Sequence, residues 1–269
     1  MAAPWPGSLL LVGCGNMGGA MLAGWLAAGV DPARMTVVDP MLQAAPPGVR
    51  LLQEAPSERF DAVLLGIKPQ MLSDVAPQLD GVVGDATMVL SILAGVELAT
   101  LAATFPDAAG HVRIMPNLSA AIGKSPVALT QTGLGQGQRD SVLEFMRPLG
   151  TPEWIDEAQF DLVTALAGSG PAFVYRFIDA LAVGAASLGM EAGQAERLAL
   201  ATVEGAALLA SASEHGPGEL ARRVASPGGT TQAGLDVLDA DSALARLVEA
   251  TLKAARDRGA EMARESRGK

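Results

Sequence analysis

The chain is short of the side chains from which most catalytic and metal centres are built. It holds one cysteine, Cys14, and two histidines, His111 and His215. An intramolecular disulfide is excluded, and a lone thiol suits a reducing cytoplasm. No metal cluster of the His/Cys type can be assembled from these three residues, and no carboxylate spacing suggests a hard-cation site. Lysine is limited to Lys68, Lys124, Lys253 and Lys269, and the net charge is −10. Nucleic acid and anionic membrane are therefore poor partners. Aromatic residues make up only 4% against 49% hydrophobic overall, so Ala, Leu and Val must do the packing. The most apolar stretch, residues 198–210, is too short to span a bilayer and carries Glu204. The opening Met1-Ala2-Ala3-Pro4-Trp5-Pro6 lacks the basic region of a signal peptide, and the chain reads as soluble and cytoplasmic.

Glycine, by contrast, is plentiful and placed. The apolar run Leu9-Leu10-Leu11-Val12 leads into Gly13-Cys14-Gly15-Asn16-Met17-Gly18 and a small-residue helical pattern. Strand, G-x-G-x-x-G and helix together form a dinucleotide-binding turn. Gly13 permits the tight turn, Gly15 lets the backbone approach a diphosphate, and Gly18 lets the helix lie close to the sheet. The helix start, with its free N–H groups, supplies the anion site. A second strand, Met35-Thr36-Val37-Val38, ends at Asp39, where an acid meets the ribose of a dinucleotide.

Further apolar runs at 49–52, 61–67, 87–92, 111–115 and 127–130 alternate with helical segments through 71–79, 96–104 and 141–149. This order predicts a doubly wound, mostly parallel α/β sheet of the Rossmann type. Its carboxyl-end rim presents residues 13–18, Asp39, Gly66, Ile67, Lys68, Pro69, Leu93, Ala94 and Asn117 to a cofactor.

Beyond about residue 157 strand-like runs vanish. Two domains are expected: 1–157 for the dinucleotide and 158–269, all helical, for dimerisation and substrate. Gly168-Ser169-Gly170-Pro171 interrupts a helical stretch, with Pro171 suited to the first turn of the second segment. The helix expected over 192–213 is apolar nearly all round, which requires cover on every side and predicts at least a homodimer. Ser226-Pro227-Gly228-Gly229-Thr230-Thr231, at a helix start, offers N–H and hydroxyl donors to a small anion. The same residues would equally serve as a Gly-Gly turn with a Thr cap.

Together these motifs, with Ile67-Lys68-Pro69, Ala94-Gly95 and Met115-Pro116-Asn117, closely resemble the pyrroline-5-carboxylate reductases, in order and over essentially the whole chain. The resemblance implies hydride transfer from NAD(P)H to the imine carbon of 1-pyrroline-5-carboxylate, the last step of proline synthesis. It also implies dimers with interlocked helical domains, in places assembled into rings. It assigns the substrate carboxylate to Ser226, Thr230 and Thr231, with Thr231 also reaching the ring nitrogen, and puts the acidic Glu157 near the substrate. Lys68, Pro69, Ala94 and Asn117 match cofactor-lining positions.

Two departures bear on the cofactor. Asp39 and Ala55 both tilt the expectation toward NADH, whereas Arg223, replacing a smaller polar residue, offers a phosphate partner. A β-hydroxyacid dehydrogenase would need a lysine early in the interdomain helix, and no lysine lies between Lys124 and Lys253. A non-catalytic NAD(P)-binding regulator would not need the loop at 226–231.

Overall fold

The computed structural model describes residues 5–267. Residues 1–4, read above for a leader, and Gly268 and Lys269 lie outside the described residues. The chain forms two compact units, one of Met1–Gly168 with Ala255–Lys269 and the other of Ser169–Ala254.

The first unit is built on one eight-stranded sheet: β1 (Leu9–Val12), β2 (Met35–Val38), β3 (Arg50–Leu52), β4 (Ala62–Leu65), β5 (Met88–Ser91), β6 (Gly110–Met115), β7 (Ser125–Thr132) and β8 (Gly150–Trp154). The strand order is β3-β2-β1-β4-β5-β6-β7-β8, parallel throughout except for the antiparallel β6–β7 pair. In β1, β2, β4 and β5 every residue is buried, which is why these segments read as largely apolar runs, broken only by Thr36 and Ser91. Leu9 and Leu11 face one core, with Trp25 and Phe145, while Leu10 and Val12 face the other, with Leu101 and Phe105. The order reverses between β1 and β4, and it is outside the carboxyl ends at such a switch point that open α/β sheets bind their ligands.

Helix α1 (Asn16–Ala27) buries Met21, Leu22 and Trp25 in the core, with Gly18 and Gly24 on the same buried face. Trp25 stacks on Phe145 with centroids 4.5 Å apart and donates its indole N–H to the Phe145 carbonyl at 2.8 Å. After β4 the chain makes no single helix. Pro69 opens a 3-10 turn, α2 (Leu72–Val75) lasts one turn, and Pro77 sits where a second 3-10 turn begins. Helix α3 (Leu98–Thr104) covers one face and α4 (Gln136–Met146) the other.

Several elements differ from those read in the sequence. β7 extends at both ends beyond 127–130, and α4 begins at Gln136 and gives way to a 3-10 turn at Arg147. β8 was not foreseen. It is an edge strand carrying Pro152, whose missing N–H is tolerated there and whose presence masks the strand pattern. The first compact unit runs on to Gly168. Residues 157–168 pack with the sheet, as buried Phe160, Ala165 and Ala167 show. They form α5 (Phe160–Val163) and a π-turn at Thr164–Gly168, after which Ser169 caps a new helix beginning at Gly170, so the helical stretch is interrupted at the Gly-Ser-Gly-Pro segment as its sequence predicts.

The second unit contains α6 (Gly170–Ser187), α7 (Ala192–Ala212), α8 (Pro217–Val224), α9 (Thr230–Asp239) and the first part of α10 (Ala243–Arg267). Pro171 lies in the first turn of α6, where its missing N–H costs nothing. Helices α6 and α7 meet through Ala182, Ala195 and Ala199. Their outer faces expose Tyr175, Phe177, Val183, Leu200, Leu208 and Leu209.

Candidate functional site

The turn between β1 and α1 is closed by backbone alone. Gly13 has φ +84°, and its N–H donates to the Val38 carbonyl at 2.8 Å. A Cβ on Gly13 would lie 2.9 Å from Ile67 Cγ2, one on Gly18 2.8 Å from the Gly13 oxygen, and one on Gly66 2.6 Å from that same oxygen. Three glycines thus let β1, β4 and α1 converge. Gly15 is different: no atom lies within 4 Å of where its Cβ would be. The space it faces is open, as a diphosphate needs. The first intrahelical bond runs from Gly19 N–H to the Gly15 carbonyl at 2.7 Å, leaving the N–H groups of Asn16, Met17 and Gly18 aimed outward at the helix start.

Asp39 is fixed beside this turn. Its Oδ2 accepts from the Cys14 N–H at 2.8 Å and its Oδ1 from the Met41 N–H at 2.9 Å, charge-assisted bonds that hold the carboxylate in one orientation. Burial, and secondarily Asp39, push the Cys14 thiol above its ordinary pKa, so it remains a protonated, unreactive lining group at neutral pH.

Along the same rim, Lys68 is exposed and caps the Pro69 turn, whose Met71 N–H donates to its carbonyl at 2.9 Å. Leu93 is buried, and Ala94 is exposed beside Gly95, whose φ is +75°. Asn117 is buried with every polar group engaged. Its N–H donates to Ser125 Oγ at 2.9 Å, its Nδ2 to the Ala167 carbonyl at 2.9 Å, and its Oδ1 accepts from the Ser119 N–H at 2.9 Å. The Ala167 carbonyl belongs to the π-turn, where the regular i→i−4 ladder is interrupted. Asn117 therefore ties the end of β6 to the chain just before α6.

Glu157 also belongs to the first unit. Its Oε1 accepts from Arg113 Nη1 and from the Leu98 N–H, both at 2.8 Å. The Arg113 side chain is only 5% exposed and stacks over Phe160 at 3.8 Å. Arg113 escaped the sequence reading. The available signal was a charged residue inside the buried run His111-Val112-Arg113-Ile114-Met115, since a cation there requires a partner.

In the second unit, Ser226, Thr230 and Thr231 come together. Gly229 N–H donates to the Ser226 carbonyl at 2.9 Å, closing a turn with Gly228 at φ +70°. Gly229 caps α9 without a side-chain bond, and a Cβ there would lie 2.4 Å from Ser226 Oγ. The first bond of α9 joins the Ala233 N–H to the Gly229 carbonyl at 3.1 Å, so the N–H groups of Thr230, Thr231 and Gln232 are left free beside three hydroxyls. These three hydroxyl residues are all exposed. The four residues expected at the substrate therefore divide, Glu157 in one unit and the 226–231 loop in the other.

A doubly wound sheet with a glycine turn open to diphosphate, followed by a helical unit, defines a nicotinamide-dinucleotide oxidoreductase. Residues 157–262 match the family model for pyrroline-5-carboxylate reductase dimerisation, and residues 8–95 that for coenzyme F420-dependent NADP oxidoreductase. The chain is 34% identical over 265 residues to pyrroline-5-carboxylate reductase of Pseudomonas aeruginosa, covering 95% of this chain and 96% of that one. It is 40% identical over 184 residues to the Aquifex aeolicus protein of the same name, covering 68% of each. A solved pyrroline-5-carboxylate reductase from Coxiella burnetii superposes with a TM-score of 0.89 at 30% identity, covering 95% of this chain and 98% of that one. The chain belongs to the pyrroline-5-carboxylate reductase family. Among the described residues, no helix is long and apolar enough to cross a membrane.

Proposed function

We propose that the chain reduces 1-pyrroline-5-carboxylate to proline with NAD(P)H and that NADH is the preferred cofactor. The observation that carries this reading is a pair of helix starts, at Asn16 and at Thr230, each opening with free main-chain N–H groups behind a glycine. One suits a diphosphate and the other a carboxylate, the two anions this reaction must hold in a chain with few lysines.

A bound dihydronicotinamide supplies the hydride. The chain's own residues bind and orient. Asn16, Met17 and Gly18 donate to the diphosphate. Gly13, Gly66, Ile67, Lys68, Pro69, Leu93, Ala94 and Asn117 form the rim along which the dinucleotide lies. Asp39, its orientation set by Cys14 and Met41, accepts from the ribose diol and repels a 2′-phosphate. Ser226, Thr230 and Thr231 hold the substrate carboxylate, and the Thr231 hydroxyl reaches the ring nitrogen. Glu157 acts through Arg113 and the start of α3, setting the wall beside the rim.

No histidine or lysine acid is required, because a cyclic imine takes its proton from water and the iminium readily accepts hydride. Catalysis is then largely a matter of positioning. The exposed apolar faces of α6 and α7, in a segment matching a dimerisation model, support a homodimer.

The test is NADH oxidation on adding 1-pyrroline-5-carboxylate, with proline identified as product. Ser226→Ala and Thr231→Ala should each raise KM for the pyrroline about tenfold, the cost of one lost hydrogen bond to a charged group, and leave KM for NADH unchanged. Absence of turnover in the unmodified protein refutes the proposal.

A further inference from the structure

Apart from the rim and the 226–231 loop, the first unit contains a cavity of about 550 Å³ where β7 continues past the end of β8, flanked by α3 and α4. Its volume lies within the range of about 300–1,000 Å³ typical of small-molecule sites. It shares no residue with the glycine turn, Asp39 or the rest of the rim, and adjoins the proposed site only through Glu157, which also lines it.

Its walls carry opposite, unpaired charges. Arg139 on α4 is half-buried, with its guanidinium carbon 5.0 Å from the Trp154 ring centroid. Among the described residues no carboxylate pairs with Arg139, although the chain has 29 acidic residues against 19 basic ones. The buried Arg139 Nε and Trp154 Nε1 likewise have no acceptor. Leaving such donors unmet costs about 1–3 kcal/mol each. The β7–β8 ladder ends with Ile155 N–H donating to the Leu129 carbonyl at 2.8 Å, and by strand alternation the Gln131 N–H beyond it points to the same open edge.

Asp156, also in the wall, has no side-chain hydrogen bond or ion pair among the described residues. Its neighbour Glu157 is already committed to Arg113 and Leu98. Leu98 and Ala102 of α3 supply an apolar floor. One cavity therefore carries a cation and a carboxylate, neither in an ion pair among the described residues, beside apolar residues of α3.

We propose that this cavity is a second ligand site and that it takes an α-amino-acid zwitterion. The ligand carboxylate meets Arg139 and the sheet-edge N–H, its ammonium meets Asp156, and its side chain lies on Leu98 and Ala102. Complementary charge at both ends separates this class from simple anions, which would gain at Arg139 and lose at Asp156.

The experiment is a thermal-shift titration of the intact protein with the common L-amino acids, each beside its decarboxylated amine and its deaminated acid. A Ser226→Ala/Thr231→Ala background removes binding at the 226–231 loop. At least one amino acid should raise Tm in that background, with neither analogue matching it. Arg139→Gln and Asp156→Asn should each weaken the apparent affinity about tenfold or more. Asp156 is exposed, so its substitution tests the site without disturbing the fold, and Arg139→Lys should restore part of the affinity. No rise with any amino acid overturns the proposal, as does a rise that survives both substitutions. A rise produced equally by the acid analogue, and unaffected by Asp156→Asn, overturns the zwitterion assignment.

Discussion

Asp39 and His111 show how much can rest on a single side chain. In the proposed function, the two main-chain bonds to Asp39 leave its carboxylate lone pairs for a ribose diol and hold a negative charge where NADPH would bring its 2′-phosphate. Kinetics with both cofactors should show kcat/KM for NADH exceeding that for NADPH by about tenfold or more, the scale of a single like-charge penalty. Asp39→Asn should narrow the gap by lowering KM for NADPH. A preference for NADPH in the unmodified protein would remove this role from Asp39.

His111 is 5% exposed, and its Nε2 lies 3.0 Å from the Phe105 carbonyl. Burial pushes its pKa below the ordinary value, an effect only partly opposed by that hydrogen bond. The native state thus favours neutral imidazole, whereas the unfolded chain takes up a proton near pH 6.5. Between the lowered native pKa and that value the unfolded state binds more protons, so stability rises with pH across this window. His111 contributes fully above about pH 6.5 and progressively less as pH falls below it. Denaturant titrations of the unmodified protein and of His111→Gln should diverge in slope against pH only within that window. Parallel curves would contradict the assignment.

At the scale of elements, close approach decides which glycines matter. In an exposed helix Gly→Ala is favourable by about 1 kcal/mol. At Gly24 of α1, however, a Cβ would stand 2.1 Å from the Ala120 carbonyl oxygen and 2.9 Å from Leu149. Gly24→Ala should therefore destabilise by about 1–3 kcal/mol, as overpacking does, and thermal unfolding reads it directly. An unchanged or raised Tm would mean that α1 is not held this closely. The same logic explains what was legible in the sequence. β1, β2, β4 and β5 declared themselves because burial on both faces demands mostly apolar runs, and the turn at 13–18 because only glycine meets its geometry. β8 stayed hidden: Thr151, Pro152 and Glu153 alternate half-exposed and exposed at an edge, with no apolar run to betray them. The π-turn stayed hidden as well, since its extra residue is stabilised by Asn117, far away in sequence. Arg113 and its link to Glu157 depend on three elements meeting, which no local pattern encodes.

The whole molecule carries a surface that a lone chain should not expose. Leu209 is 73% exposed on α7, Leu200 55%, and Tyr175 67% on α6. Those faces match a dimerisation model and account for the apolar helix that the sequence showed. Sedimentation should find a dimer or a multiple of it, and Leu209→Glu should shift the equilibrium toward monomer with loss of activity. A stable, active monomer would contradict this. Few lysines and strong acidity bear on the same scale: in the proposed function both anions of the reaction are left to main-chain amides at helix starts. The central claim is that these amides present a dihydronicotinamide to a C=N bond. NADH deuterated at the transferable C4 position, incubated with the enzyme and 1-pyrroline-5-carboxylate, tests it most directly. Mass spectrometry of the proline should find one deuterium on the carbon that was doubly bonded to nitrogen; proline without the label, or no proline, would contradict the account.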